Sequence, residues 1–287
     1  MPDPDPTPSA TGGRHVPAFL LAAPPGPGPV ELGPGEEEHG LRVLRMRVGD
    51  PALGLDGQGG RWRLVVTAVE RRRLVLEADG PREEEPPPGE PGAPLPWVEV
   101  AVAWPRKQRG EDMLGRLVQL GAAAVTPLAT RHASTPPPPE PPERWGRLVR
   151  EHAKQCGRLW LPELRPTASC EALADRIGPG ATATATGNGA AVAFLEPGGS
   201  MGLDTWVRSL PLGPSLLGTR ARPILLVVGP EGGFADDERR VLLDRGATST
   251  RLGPHVLRVE TAAEAALAIT AVLTCGPDPA ASDRARG

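Results

Sequence analysis

The stretch Ile224-Leu-Leu-Val-Val-Gly-Pro-Glu-Gly-Gly-Phe-Ala-Asp-Asp-Glu238 decides the fold. Ile224 to Val228 is a continuous apolar run, short enough for a strand buried on both faces. Gly229, Gly232 and Gly233 then give a tight turn in which the backbone can come close to a ligand. Asp236, Asp237 and Glu238 stand where the positive end of a helix favours acids, and Gly246 can close that helix. The unit reads strand, glycine turn, helix, and ligands of α/β sheets bind at this carboxyl end of the strands.

A second stretch repeats the design. Thr248 to Leu252 predicts a strand, Gly253-Pro254 turns the chain, and Thr261 with Glu264 predicts a capping box. The helix from Ala262 to Thr274 is apolar on nearly all sides, which predicts burial in the core or in a subunit interface. Two glycine turns are also what two ordinary βα connections would show. The Gly-Pro-Glu-Gly-Gly spacing is not that of a dinucleotide fingerprint, and no Walker lysine motif occurs, which disfavours a Rossmann oxidoreductase.

Upstream, Trp97 to Trp104 predicts a strand, and Met113, Leu114, Leu117 and Val118 mark one apolar helix face. Ala123 to Leu128 returns as a strand, so this βαβ unit supports a parallel sheet. Glu143 to Arg158 predicts a helix with Arg147, Arg150, Lys154 and Arg158 on one stripe, and Trp145, Leu148, His152 and Cys156 opposite. Such a stripe suits either phosphates or solvent. His152 is expected to be a satisfied core histidine. Ala191 to Glu196 predicts another buried strand, and the Gly- and Pro-rich residues 197–222 read as a variable insertion.

In the N-terminal third, Val16 to Leu21, Leu41 to Val48, Ala52 to Leu55, Trp62 to Val69 and Leu74 to Ala78 are short strand candidates, which predicts a small barrel. His39 to Arg82 holds nine arginines against five acids, although the whole chain carries a net charge of −3. On a strand, Arg42 would face away from Arg45 and Arg47. Residues 83–94 are acidic and Pro-rich and read as a linker, 1–14 as a disordered leader and 276–287 as a tail. The three cysteines lack metal or redox spacing, so reduced thiols, no metal and a cytoplasmic location are expected. No apolar run approaches membrane length. With no tyrosine and 3% aromatic residues, an aromatic stacking platform is not expected.

Gly229-Pro-Glu-Gly-Gly-Phe234, the acid-rich helix and Leu252-Gly…Leu257-Arg-Val-Glu-Thr-Ala262 together resemble the SPOUT (α/β-knot) RNA methyltransferases, most closely the RsmE type. Glu38-His39, Val43-Leu44-Arg45 and Gly49-Asp50 resemble that family's N-terminal pattern, with Gly40 in place of a second histidine. Arg106 to His132 and Gln155-Cys-Gly-Arg158 also resemble it. The resemblance implies an α/β fold with a C-terminal trefoil-knotted, parallel-sheet domain (95–275) and an N-terminal PUA-like RNA-binding barrel (15–82). It implies a homodimer that uses S-adenosylmethionine to methylate N3 of a uridine in small-subunit (16S) ribosomal RNA.

On that reading, Leu195, Gly229, Pro230, Glu231, Gly232, Leu252, Gly253 and Leu257 form the cofactor pocket, since glycine turns offer fixed backbone donors and acceptors without bulk. Arg42, Arg45, Lys107, Arg131, Lys154 and Arg158 are the expected RNA contacts. Arg258 and Glu260 are the charged candidates for catalysis, or else an ion pair bracing the turn, and His255 carries no assigned role. The chemistry requires the uridine to be unstacked, aligned with the methyl group and relieved of its N3 proton. Two other readings are a SPOUT enzyme acting on ribose 2′-oxygen and a knot-fold RNA-binding protein without turnover.

Overall fold

The computed structural model describes residues 16–70, 73–106, 108–177, 189–213 and 216–275. The expected leader and tail lie outside them. The chain divides into two compact units, Met1–Asp56 with Arg61–Glu83, and Gly57–Gly60 with Glu84–Gly287.

The first unit contains β1 (Ala18–Leu20), a helical turn α1 (Glu36–Glu38), β2 (Pro51–Leu55), β3 (Gly60–Val69), β4 (Leu74–Ala78) and β5 (Glu83–Glu84). The sheet order is β1-β2-β3-β4, with β5 beside β3. β1 runs parallel to β2, and the β2–β3 and β3–β4 pairs are antiparallel. Residues 29–33 bond to both edges of this sheet: Val30 N donates to Leu76 O at 2.8 Å, and Gly33 N donates to Leu20 O at 2.8 Å. The sheet thereby has its edges tied, a barrel-like closure that removes free strand edges. Phe19, Trp62, Leu64, Val66, Leu74 and Leu76 fill the interior.

One expected strand of this unit is absent. Residues His39–Val43 form a π-helical turn continuing α1, and Arg45 sits in the left-handed region at φ 53°. Glu36, Glu37 and Glu38 favour a helix start after Gly35, and the apolar residues that follow do not form a buried face. Only Met46 is buried, while Val43 and Val48 are 65% and 63% exposed. The two-residue alternation of Arg42 against Arg45 and Arg47 therefore does not apply.

The second unit is an all-parallel sheet covered on both faces. Its elements are β6 (Val98–Ala103), α2 (Gln108–Gln119), β7 (Ala124–Ala129), α3 (Glu143–Cys156), β8 (Glu163–Leu164), β9 (Ala168–Ser169), α4 (Cys170–Ala174), β10 (Ala191–Leu195), β11 (Met201–Gly202), α5 (Leu203–Ser209), β12 (Ile224–Val228), α6 (Asp236–Asp244), β13 (Thr248–Arg251) and α7 (Val259–Thr274). The strand order is β11-β13-β10-β12-β6-β7-β8, with β9 also on β7. β12 shows why its sequence is apolar throughout. Ile224, Leu226 and Val228 pack with α2, α3, α5 and α7, while Leu225 and Val227 pack with α4 and α6.

Several boundaries differ from the sequence reading. α7 begins at Val259 with Arg258 as its N-cap, so Thr261 lies in the first turn and makes no capping box. Glu264 instead accepts from Arg116 Nη1 on α2 at 3.1 Å. α3 ends at Cys156 because Gly157 turns left-handed at φ 73°, which takes Arg158 out of the helical stripe. Residues 197–222 hold β11 and α5, whose Leu203, Trp206 and Val207 belong to the core. The 83–94 stretch opens with β5 and continues in turns, with Gly89 N donating to Leu95 O at 2.9 Å and Ala93 N to Glu90 O at 3.0 Å. His152, expected in the core, is instead half-buried at the α2–α3 contact, its ring packing against Gly115 and its Nδ1 3.2 Å from Gln119 Nε2.

The three thiols differ sharply in surroundings. Cys170 is buried, and burial, followed by the charges of Glu238, Glu171 and Asp237, pushes its thiol up to about 12. Cys156 is exposed. At pH 8 a thiol reagent will therefore label Cys156 readily and leave Cys170 unmodified until denaturant is added, which peptide mapping will read. Equal labelling of both in the native protein would contradict this packing.

Candidate functional site

Three turns meet where β10, β12 and β13 end, on one edge of the sheet because all three strands are parallel. β10 lies between the other two, and the chain crosses to either side of it, which is where an open α/β sheet forms a crevice. The turn after β10 closes with Gly199 N donating to Glu196 O at 3.0 Å, and the turn after β12 with Gly233 N donating to Pro230 O at 2.9 Å. Between them and the turn after β13 is a cavity of about 360 Å³. Leu195, Gly229, Pro230, Glu231, Gly232, Leu252, Gly253 and Leu257 all line it. The sequence reading did not single out Val228, Phe234, Val256, Val259 and Ala262, which supply apolar walls, or Glu196 and His255. Phe234, Val259 and Ala262 lie within the quoted motifs and His255 was given no role, but none of these residues was assigned to the pocket.

Glycine is needed at two places for close approach. A Cβ on Gly229 would stand 2.9 Å from the Phe234 ring, which packs edge-to-face on Phe194 at 5.8 Å. A Cβ on Gly199 would stand 2.3 Å from the Thr250 backbone. These contacts fix the turns after β12 and β10 against their neighbours. Glu196 is braced in the same way: Arg239 Nε donates to its Oε2 at 2.9 Å, and Ser249 Oγ donates to Oε1.

The turn after β12 is also held from the other side. Arg131 N donates to Glu238 Oε1 at 2.8 Å, the Arg131 guanidinium pairs with Asp237, and His132 Nδ1 lies 3.2 Å from Gly233 O. Glu238 Oε2 in turn accepts from Ala235 N at 2.8 Å, satisfying one N-terminal amide of α6. Backbone N–H groups of Glu231, Gly232, Gly253, Val256 and Leu257 donate to no backbone group among the described residues. The cavity thus combines apolar walls with open backbone donors, and its volume falls in the range of small-molecule and cofactor sites. This donor set fits an adenosine-bearing ligand: hydrogen-bonding edges meet backbone, and a flat ring meets aliphatic side chains.

Arg258 is exposed directly after Leu257. Glu260 does not pair with it; its Oε1 accepts from Arg109 Nη1 at 3.4 Å, which ties α7 to α2. The bracing pair expected within the motif is therefore an interhelical one, because the helix starts at Val259 and carries Glu260 away from the turn.

The expected RNA contacts separate into groups. Arg42 is exposed and pairs with Glu38 at 2.6 Å, and Arg45 is exposed. Lys154 is only 8% exposed and its Nζ donates to Glu151 Oε1 at 3.1 Å. Arg158 Nη1 donates to Val118 O at 3.0 Å, and burial lowers its guanidinium to about 10. The cationic stripe of α3 is thus broken at its C-terminal end. Lys107 lies outside the described residues.

Residues 92–271 match the family model described as an RNA methyltransferase domain. The chain is 33% identical over 275 residues to the ribosomal RNA small subunit methyltransferase E of Mycobacterium tuberculosis, covering 92% of this chain and 95% of that protein. It is 31% identical over 228 residues to the protein of the same name from Synechocystis, covering 79% and 67%. Among solved structures, the ribosomal RNA small subunit methyltransferase E of Neisseria gonorrhoeae, bound to S-adenosyl methionine, superposes with a TM-score of 0.67 at 22% identity, over 91% of this chain and 98% of that one. A Legionella pneumophila methyltransferase with bound cofactor gives 0.69 at 24% identity, over 90% and 98%.

Proposed function

The chain belongs to the ribosomal RNA small subunit methyltransferase E family and is an RNA methyltransferase, and from that membership we propose that it methylates N3 of one uridine in 16S ribosomal RNA with S-adenosylmethionine. The observation that carries this reading is the convergence of three turns, from β10, β12 and β13, on one cavity with open backbone donors. When bound, the cofactor supplies a methyl group already activated by its positive sulfur.

The chain's own residues have two tasks. The first is to hold the cofactor in one orientation: the open backbone of Gly232, Gly253 and Leu257 would serve polar edges, and the side chains of Leu195, Leu252 and Leu257 would supply apolar walls for a ring. The turns are held in place without a ligand, by the close packing of Gly229 on Phe234 and Gly199 on Thr250 and by the Glu238–Ala235 hydrogen bond. The second task is to bring an unpaired uridine to the cavity mouth, where Arg258 offers a cation to phosphates; Arg42 and Arg45, exposed on the first unit, are further candidate phosphate contacts. Lys154 and Arg158 are turned inward and take a structural part in this reading.

The same reading makes the first unit a PUA-like RNA-binding barrel, the second a trefoil knot and the working form a cytoplasmic homodimer.

N3 lies on the pairing edge of uracil, so its methylation blocks base pairing, whereas ribose methylation does not. Small subunits from cells lacking the protein, incubated with the protein and S-adenosylmethionine, will therefore show one new strong reverse-transcription stop at a uridine. Methyl transfer without such a stop, with ribose methylation mapped instead, would overturn the N3 assignment while leaving methyltransferase activity standing.

A further inference from the structure

We propose that a second cavity of the methyltransferase unit, built on a stacked tryptophan pair, binds an unpaired base of the RNA strand; this rests on the function proposed above. The cavity measures about 450 Å³, and its lining includes Trp104, Arg106, Gln108, Glu111, Thr135 and Trp145. Trp104 follows β6 directly, and β6 is the parallel neighbour of β12, with Val102 opposite Val228. The cavity therefore begins on the same sheet edge as the turn Pro230–Gly233, one strand spacing along.

Its chemistry fits a nucleobase. Trp104 and Trp145 stack with ring centroids 3.9 Å apart and planes at 23°. Low aromatic content made such a platform unexpected, but two of the six tryptophans are spent here. Trp104 is only partly buried, so ring surface not used by Trp145 remains open to the cavity. Its indole is fixed by Gly110 on α2, where a Cβ would stand 2.3 Å from Nε1.

Trp145 is 2% exposed, yet its Nε1 has no hydrogen-bond partner among the described residues. A buried donor left unmade is costly, and a base carbonyl is the acceptor that would satisfy it. At the rim, Arg106 donates to Ser134 O at 2.8 Å, which leaves other guanidinium donors for a phosphate. Gln108 Nε2 donates to Asp112 Oδ1 at 3.1 Å, which leaves the amide oxygen and the second N–H for a base edge. A planar face, a buried donor and a cation at the mouth match one nucleotide of a single strand, and stacking of this kind tolerates any base.

The test uses the full chain and hexauridylate, with binding followed by calorimetry and by tryptophan fluorescence. Trp104→Leu is expected to weaken hexauridylate binding roughly 5- to 100-fold and to remove the fluorescence quenching, while Trp104→Phe recovers most of the affinity. Arg106→Gln should weaken binding less and flatten its salt dependence. S-adenosylmethionine affinity should match wild type in all three. Unaltered hexauridylate binding by Trp104→Leu, with cofactor binding intact, would overturn the site. So would equal quenching by inorganic polyphosphate, which has charge but no base. A wild-type protein that binds neither cofactor nor RNA would instead sink the function on which this site rests.

Discussion

Gly253→Trp will abolish S-adenosylmethionine binding in a protein that unfolds at the wild-type temperature. A Cβ on Gly253 meets nothing within 4 Å, and the residue is outside the left-handed region, so a side chain adds no strain to the turn. Gly253 nevertheless lines the 360 Å³ cavity between Leu252 and His255, and an indole there competes directly with a ligand. The expected loss is at least about 100-fold, roughly 2.8 kcal/mol. Stability should move by no more than about 0.5 kcal/mol, as for surface changes that break no contact. The neighbouring glycines are poorer probes. At Gly199 even alanine would press on the Thr250 backbone at 2.3 Å, and at Gly229 on Phe234 at 2.9 Å, so lost binding there could reflect a displaced turn. Calorimetry on Gly253→Trp separates the two effects, and unchanged affinity would show that the three turns do not hold the cofactor.

The parts of this molecule that were legible in the sequence share a physical cause. Strands buried on both faces must be apolar at every position, so β10 and β12 stand out as runs, and a turn that approaches a ligand needs glycine. The eight residues named for the pocket come from three separate stretches, and the structure brings them together around one cavity. What was not legible depends on partners far away in the chain. Arg45 sits beside apolar residues that look like a strand, but whether Val43 and Val48 find a core is decided by the rest of the first unit, and they do not. Lys154 has the spacing of an exposed stripe and is buried at its edge next to Glu151. The Trp104–Trp145 stack joins the end of a strand to a helix more than a strand and a helix further on, and no local pattern announces it. Local rules read the strands and turns; tertiary placement decides which charges are free.

Glu99→Ala will destabilise the second unit by about 3–5 kcal/mol, the cost of breaking a buried ion pair from one side. Glu99 is fully buried on the interior strand β6, and its carboxylate organises three groups. Its Oε1 accepts from Trp97 Nε1 at 2.9 Å, and its Oε2 accepts from Arg165 Nη1 at 2.8 Å and Arg176 Nη2 at 2.5 Å. Without it, two partly buried guanidinium groups are left together, and the carboxylate of Glu163 is already shared by Arg165 and Arg220. Glu99→Gln keeps an acceptor for Trp97 but removes the charge, so its loss should be intermediate. Denaturant unfolding of the wild type and both variants reads this order. A neutral Glu99→Ala would mean that the arginines reach solvent at no cost and that the network is decoration. The expected outcome has a functional corollary. β12 pairs with β6 along its whole length, so the network holds the neighbour of the strand that leads into the turn Pro230–Gly233, from the opposite end of the sheet. Its loss should lower stability while leaving S-adenosylmethionine affinity of the folded fraction unchanged, because no atom of Glu99 reaches the cavity.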